Sequence, residues 1–233
     1  MPDEIADKLQ TLRARVNAAA RRFGRSGDEI RIVLVSKTVE SERIQAAYHA
    51  GAFEFGENRV QELLRKKKAL LFDVKWHMIG HLQTNKVKDL IGQVELIHSL
   101  DRPELYLEIE KQAKAKNIAE VPCLIQVNSS GEESKFGLRV EDVEAFAASI
   151  STEGHVKIKG LMTIGPLTED PHEIQKVFRE TKALQTHLKR EFPQWKWDIL
   201  SMGMSSDFEM AIEEGSNLIR VGTAVFGPRK PAA

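Results

Sequence analysis

The sequence predicts an α/β fold, a single closed (β/α)8 barrel of the TIM type occupying residues 1–233 as one domain. Three observations predict it. Short apolar, β-branched runs alternate with longer amphipathic segments about eight times, and a repeated β-then-α order requires parallel strands joined by crossovers. The first run is followed by Ser36-Lys37-Thr38-Val39, and the chain has no G-x-G-x-x-G, the turn an open doubly wound sheet normally carries for a dinucleotide. A length of 233 residues suits a barrel folded as one domain, and no linker, low-complexity segment or internal repeat divides it.

Taken in order, a helix is expected over about 3–23, closed by Gly24. The first strand is Arg31 to Ser36, built on Ile32-Val33-Leu34-Val35, a β-branched run of the kind buried strands favour. The remaining strands are expected at Ala52 to Gly56, Lys75 to Gly80, Leu96 to Leu100, Pro122 to Asn128, Ile158 to Ile164, Asp198 to Met202 and Leu218 to Val221. Between them, Ser41 to Ala50, Arg59 to Leu70, Pro103 to Lys116, Val140 to Ser149, Pro171 to Arg190 and Phe208 to Glu214 have helical spacing and helix-forming composition.

Lys plus Arg and Asp plus Glu each number 34, for zero net charge with neutral histidines. That balance gives no reason to expect a nucleic-acid or membrane-surface partner. The basic run Arg65-Lys66-Lys67-Lys68 ends a predicted helix, where cations suit the macrodipole, and reads as a solvated helix end. Cys123, the sole cysteine, cannot form an intrachain disulfide, and in its strand-like run a buried small hydrophobe outweighs a nucleophile. Residues Met1 to Lys8 carry Asp3, Glu4 and Asp7 and lack the apolar core of a signal peptide. No run is long enough to span a bilayer, so a cytoplasmic protein is expected.

In such a barrel, functional residues gather after the strand C-termini. Lys37 leaves the first strand there. Most lysines at strand ends are solvated, but one in an apolar-walled pocket is a candidate Schiff-base amine. Asn58 follows the second strand and reads equally as a ligand contact or a helix cap. His77 and His81 lack the spacing and companion ligands of a zinc site, so no metal is expected. After the seventh strand comes Ser201-Met202-Gly203-Met204-Ser205-Ser206, and the eighth ends Arg220-Val221-Gly222-Thr223. These small and hydroxyl-bearing residues suit phosphate, for which barrels commonly use the last two loops; the plainer alternative is a pair of helix caps. A ligand with an aldehyde and a phosphate fits Lys37 and these loops together. Pyridoxal 5′-phosphate (PLP) is one, and Arg220 near its pyridine nitrogen would keep that nitrogen unprotonated.

Seven segments resemble those of a known family. They are Val35-Ser36-Lys37-Thr38, Phe55 to Glu62, Trp76 to Lys86, Lys135-Phe136-Gly137-Leu138, Gly160 to Ile164, Leu200 to Asp207 and Arg220 to Gly227. In this order they are similar to the YggS/PROSC family of pyridoxal-phosphate-binding homeostasis proteins. The resemblance implies a barrel like the amino-terminal domain of alanine racemase, a fold type III PLP protein. It also implies a Schiff base on Lys37, phosphate contacts from Ser201, Met204, Ser205, Gly222 and Thr223, and Arg220 toward the pyridine ring. Family members are regarded as regulators of intracellular PLP and of amino-acid and keto-acid balance, without an established catalytic activity.

The competing expectation is a PLP-dependent amino-acid racemase. Two-base racemisation needs an acid or base on each face of the substrate carbon, which related racemases complete with a tyrosine from a second domain. Only Tyr48 and Tyr106 occur in this sequence, both in predicted helices. A carrier that stores, protects or delivers PLP, with PLP-dependent apo-enzymes as transient recipients, is therefore the favoured expectation, and nothing requires more than a monomer.

Overall fold

A computed structural model describes residues 2–132 and 134–228; the expected domain limits, residues 1 and 233, lie outside the described residues. Eight parallel strands pair in sequence order and close β1 on β8 into a barrel. They are β1 (Arg31–Val35), β2 (Glu54–Glu57), β3 (Lys75–Met78), β4 (Leu96–Leu100), β5 (Val121–Val127), β6 (Val156–Thr163), β7 (Ile199–Ser201) and β8 (Leu218–Val221). The helices are α1 (Pro2–Arg22), α2 (Ser41–His49), α3 (Val60–Ala69), α4 (Thr84–Leu90), α5 (Pro103–Ala115), α6 (Val143–Ser149), α7 (Pro171–Glu191), α8 (Phe208–Glu213) and α9 (Thr223–Phe226).

Each strand buries two faces, which is why the runs read as continuously apolar. Outward residues such as Leu34, Phe55, Ile97, Ile125, Leu200 and Ile219 join the large core beneath the helices. Inward residues Val33, Leu96, Leu124, Met162 and Leu218 make a small apolar layer in the lumen. On α1, Ile5, Leu9, Leu12, Val16 and Ala19 are all buried, a helical stripe that packs across α2, α8 and α9. Truncating one such side chain, as in Leu9→Ala, should cost about 2–5 kcal/mol.

β6 slips by one residue against β5, where Cys123 faces Ile158 and Leu124 faces Gly160. Gly160 makes this possible: its φ is +148, and a Cβ there would lie 1.7 Å from the Ile199 carbonyl oxygen. Without a side chain, β6 can approach β7 closely enough to pair.

The structure departs from expectation in three places besides strand ends shifted by one or two residues. α4 and α9 are short helices of seven and four residues, too brief to show an amphipathic period. Lys66 is not part of a solvated helix end. Arg65, Lys67 and Lys68 are exposed, but Lys66 is 3% exposed, because it continues the inward stripe Val60, Leu63, Lys66 on α3.

Candidate functional site

At the C-terminal rim a cavity of about 300 Å³ is lined by Val35, Lys37, Asn58, Ile79, Ile164, Met204, Ser205, Ser206, Arg220, Gly222 and Thr223. Of the residues expected from sequence, all but Ser201 line this one cavity, and Ser206 joins them. Lys37 lies two residues beyond the end of β1, half-buried. Asn58 directly follows β2 and does not cap α3, whose N-cap is Arg59.

The β7 and β8 loops are tied to each other. Ser205 Oγ accepts the N–H groups of Gly222 and Ala224, both at 3.3 Å. Asp207 Oδ1 accepts the Met204 N–H while the Asp207 N–H donates back to the Met204 carbonyl at 3.2 Å. Neither Ser205 nor Ser206 is the N-cap of α8, a position held by Asp207; Ser205 instead satisfies N–H groups at the start of α9 from the neighbouring loop.

Arg220 reaches the cavity from inside the barrel. Its Nη1 donates to the Ser201 carbonyl at 2.8 Å and to Ser201 Oγ at 2.7 Å, and Nη2 donates to the Thr163 carbonyl at 2.8 Å. Burial lowers its pKa to about 10, with Asp207 pulling the other way, so the guanidinium remains a cation at neutral pH.

Ser201 is the correction. Strand residues alternate between faces, so with Leu200 outward in the main core, Ser201 points into the lumen. There its Oγ is fully buried, held by Arg220 and 3.1 Å from His98 Nδ1. The hydroxyl supports the guanidinium from below.

His98 was not singled out in the sequence, although it alternates with lumenal Leu96 on β4. Its Nε2 lies 3.0 Å from His77 Nδ1, and His77 Nε2 faces Glu54 Oε2 at 3.4 Å. Arg31 in turn holds Glu54 through Nε and Nη2 at 3.0–3.2 Å. A polar thread thus crosses the barrel from Arg31 to Arg220. Burial lowers the pKa of both histidines, keeping them neutral. A proton on the His77 nitrogen facing Glu54 then requires His98 Nε2 to donate to His77 and the Ser201 hydroxyl to donate to His98.

A larger recess of about 720 Å³ adjoins the cavity through Asn58, Ile79 and Ile164. His81 stands in its wall with its ring stacked on Phe136, centroids 4.0 Å apart. Among the described residues no group of three or more His, Cys, Asp or Glu side chains is placed to hold a metal. Cys123 is buried and its thiol pKa is pushed up by desolvation, the state of a packed hydrophobe rather than a nucleophile. Among the described residues no helix is long and apolar enough to cross a membrane.

The alanine racemase, N-terminal domain family profile matches residues 8–230. The pyridoxal phosphate homeostasis protein of Aquifex aeolicus is 45% identical over 225 residues, covering 96% of this chain and 98% of that protein. Its Escherichia coli counterpart is 36% identical over 232 residues, with 97% of each chain covered. PipY of Synechococcus elongatus, solved with PLP bound, is 33% identical with a TM-score of 0.84, covering 96% of this chain and 100% of PipY. An alanine racemase from Clostridium difficile, 13% identical with a TM-score of 0.79 over 58% of its length, shares the barrel fold. The protein thus belongs to the pyridoxal phosphate homeostasis branch of the alanine racemase N-terminal domain family.

Proposed function

We propose that this chain binds PLP in the rim cavity, anchors it on Lys37, and serves intracellular PLP homeostasis and amino-acid and keto-acid balance. The observation that carries the reading is that one cavity of about 300 Å³ brings Lys37 together with Ser205, Arg220, Gly222 and Thr223. The donor set fits the group. An amine is available for an aldehyde, hydroxyls and loop amides for a phosphate, and a buried permanent cation for a pyridine nitrogen. Bound PLP supplies an electrophilic aldehyde and, beyond it, a conjugated ring able to take up electrons.

In this reading Lys37 would anchor PLP, its amine meeting the aldehyde that the cofactor supplies. Met204, Ser205, Gly222 and Thr223 would hold the phosphate, with Asn58 and Arg220 available to the ring and its nitrogen. Ser201 contributes by fixing Arg220. Because a guanidinium cannot hand over a proton at neutral pH, Arg220 would leave the ring nitrogen of bound PLP unprotonated, making it a weaker electron sink than one paired with a carboxylate.

The carrier reading is favoured over an amino-acid racemase by where the tyrosines lie. Tyr48 stacks on Phe72 with centroids 4.2 Å apart. Tyr106 is buried, and its hydroxyl accepts the Ser151 N–H at 3.1 Å. Neither lines the cavity, so neither can serve as the second base. The protein then acts in the cytoplasm as a monomer that stores, protects or delivers PLP, with PLP-dependent apo-enzymes as transient recipients.

The test is reconstitution with PLP followed by borohydride reduction and peptide mapping. The purified protein should turn yellow and carry the reduced adduct on Lys37, and Lys37→Ala should abolish the adduct at that position. A protein that stays colourless with excess PLP refutes the assignment. Racemisation of added alanine or serine by the loaded protein would overturn the carrier reading in favour of the enzyme.

A further inference from the structure

We propose that Lys66, Glu57 and Glu62 form a positioning clamp that fixes the direction in which Lys37 leaves the barrel, a role resting on the reading of Lys37 as the PLP anchor. Lys66 projects from α3 into the space under the loop that follows β1. Its ammonium has three protons and finds three acceptors: the Ser36 carbonyl at 2.6 Å, Glu57 Oε1 at 2.8 Å and Glu62 Oε1 at 2.7 Å. Glu62 Oε1 also accepts the Thr38 N–H at 2.7 Å, and Glu57 Oε1 accepts the Ser36 hydroxyl at 2.7 Å.

The placement of these bonds gives the cluster its meaning. The Ser36 carbonyl belongs to the peptide before Lys37, and the Thr38 N–H belongs to the peptide after it. Holding both peptide planes fixes φ and ψ at Lys37, and hence its Cα–Cβ direction, while its side chain makes none of these bonds. A further bond from the Val39 N–H to the Ser36 carbonyl, 2.9 Å, closes the turn. Thr38 sits at φ +63, a left-handed conformation that a β-branched residue adopts only when its surroundings enforce it.

A solvated loop would not need such a cluster. Lys66 is 3% exposed and Glu57 fully buried, and stripping water from charged groups is costly unless each is paired and hydrogen-bonded. Burial raises the Glu57 pKa against the pull of Lys66. Burial also opposes ionisation of Glu62, but the bonds from Lys66 and from the Thr38 N–H outweigh it and hold its pKa down. The second Glu57 oxygen, Oε2, is buried without a hydrogen-bond partner among the described residues. An assembly this expensive to bury, with its bonds aimed at the two peptides around one lysine, is a device for orienting that lysine.

The experiment compares wild type with Lys66→Met, Glu62→Gln and a distant core variant, Leu188→Ala, as a stability control. Two quantities are read: amide hydrogen exchange at residues 37–39 without PLP, and the rate at which added PLP becomes borohydride-fixed on Lys37. Losing one charge-assisted hydrogen bond should speed local exchange and slow labelling by about tenfold or more. The Leu188→Ala control should change neither locally at matched fraction folded. Glu62→Gln is the milder change and keeps the test decisive if Lys66→Met does not fold. Unchanged exchange and labelling in Glu62→Gln overturn the clamp while leaving PLP binding intact. Wild type that takes no label on Lys37 overturns the anchor reading itself, and the clamp's role with it.

Discussion

The Arg31–Glu54 pair at the far end of the polar thread makes stability depend on pH in a direction that can be worked out. Burial of Glu54 favours its neutral form, but His77 and the Arg31 guanidinium outweigh that and lower its pKa from 4.5 to about 2. A carboxylate held lower in the folded state than in the unfolded chain stabilises the fold above pH 4.5; the stabilisation is lost as pH falls through that value toward 2. At about 1.4 kcal/mol for each tenfold change in proton affinity, the ceiling is about 3 kcal/mol, of which about 1.4 kcal/mol is gone by about pH 3.5. Arg31 is 34% exposed at its side chain, so solvent screens its share and about 1–3 kcal/mol is the measurable range. The perturbation is Glu54→Gln, assayed by urea unfolding from pH 7 downward and followed by the buried tryptophans Trp76, Trp195 and Trp197. The variant should be less stable at pH 7 and have the shallower pH dependence, so the two curves converge in acid. Parallel curves with a constant gap would refute the linkage.

Ser201→Ala removes an acceptor of Arg220 Nη1 and the partner of His98 Nδ1, while the Ser201 carbonyl still holds the guanidinium. A loss of about 1–3 kcal/mol in urea unfolding is expected, together with weaker PLP binding if the guanidinium shifts; an unchanged denaturation midpoint would remove Ser201 from the thread. Gly160→Ala should be far more severe, because the new Cβ would lie 1.7 Å from the Ile199 carbonyl oxygen. The expected cost is above about 4 kcal/mol, seen as loss of soluble folded protein; a variant of near wild-type melting temperature contradicts the close approach of β6 to β7.

The barrel was legible because parallel strands buried on both faces leave continuous apolar runs, and the rim was legible because loops after strands must be polar. What could not be read was which way a side chain points in a short element. Ser201 ends a strand of only three residues, Ile199–Ser201, and a one-residue change of parity decides between the cavity and the lumen. The same parity rule finds His98 and His77, each at an inward position of a run already identified. Lys66 could have been suspected from Val60 and Leu63 at three-residue spacing before it and from Glu62 four residues earlier. Composition hid it, because four basic residues in a row look like one solvated surface.

Lys37 and Lys66 show why residue type alone does not assign a role in this barrel. Both lie near the rim, and both carry an amine that burial could in principle make reactive. The Lys66 amine has each of its protons committed to an oxygen, two of them carboxylate oxygens, so it serves as a hydrogen-bond donor to its neighbours. Lys37 instead lines a cavity whose other walls bear Arg220, serine hydroxyls and apolar Val35, Ile79 and Ile164. No carboxylate is among that lining. In the proposed reading the two lysines divide the work: the Lys66 cluster holds the peptides on either side of Lys37, and Lys37 lines the cavity.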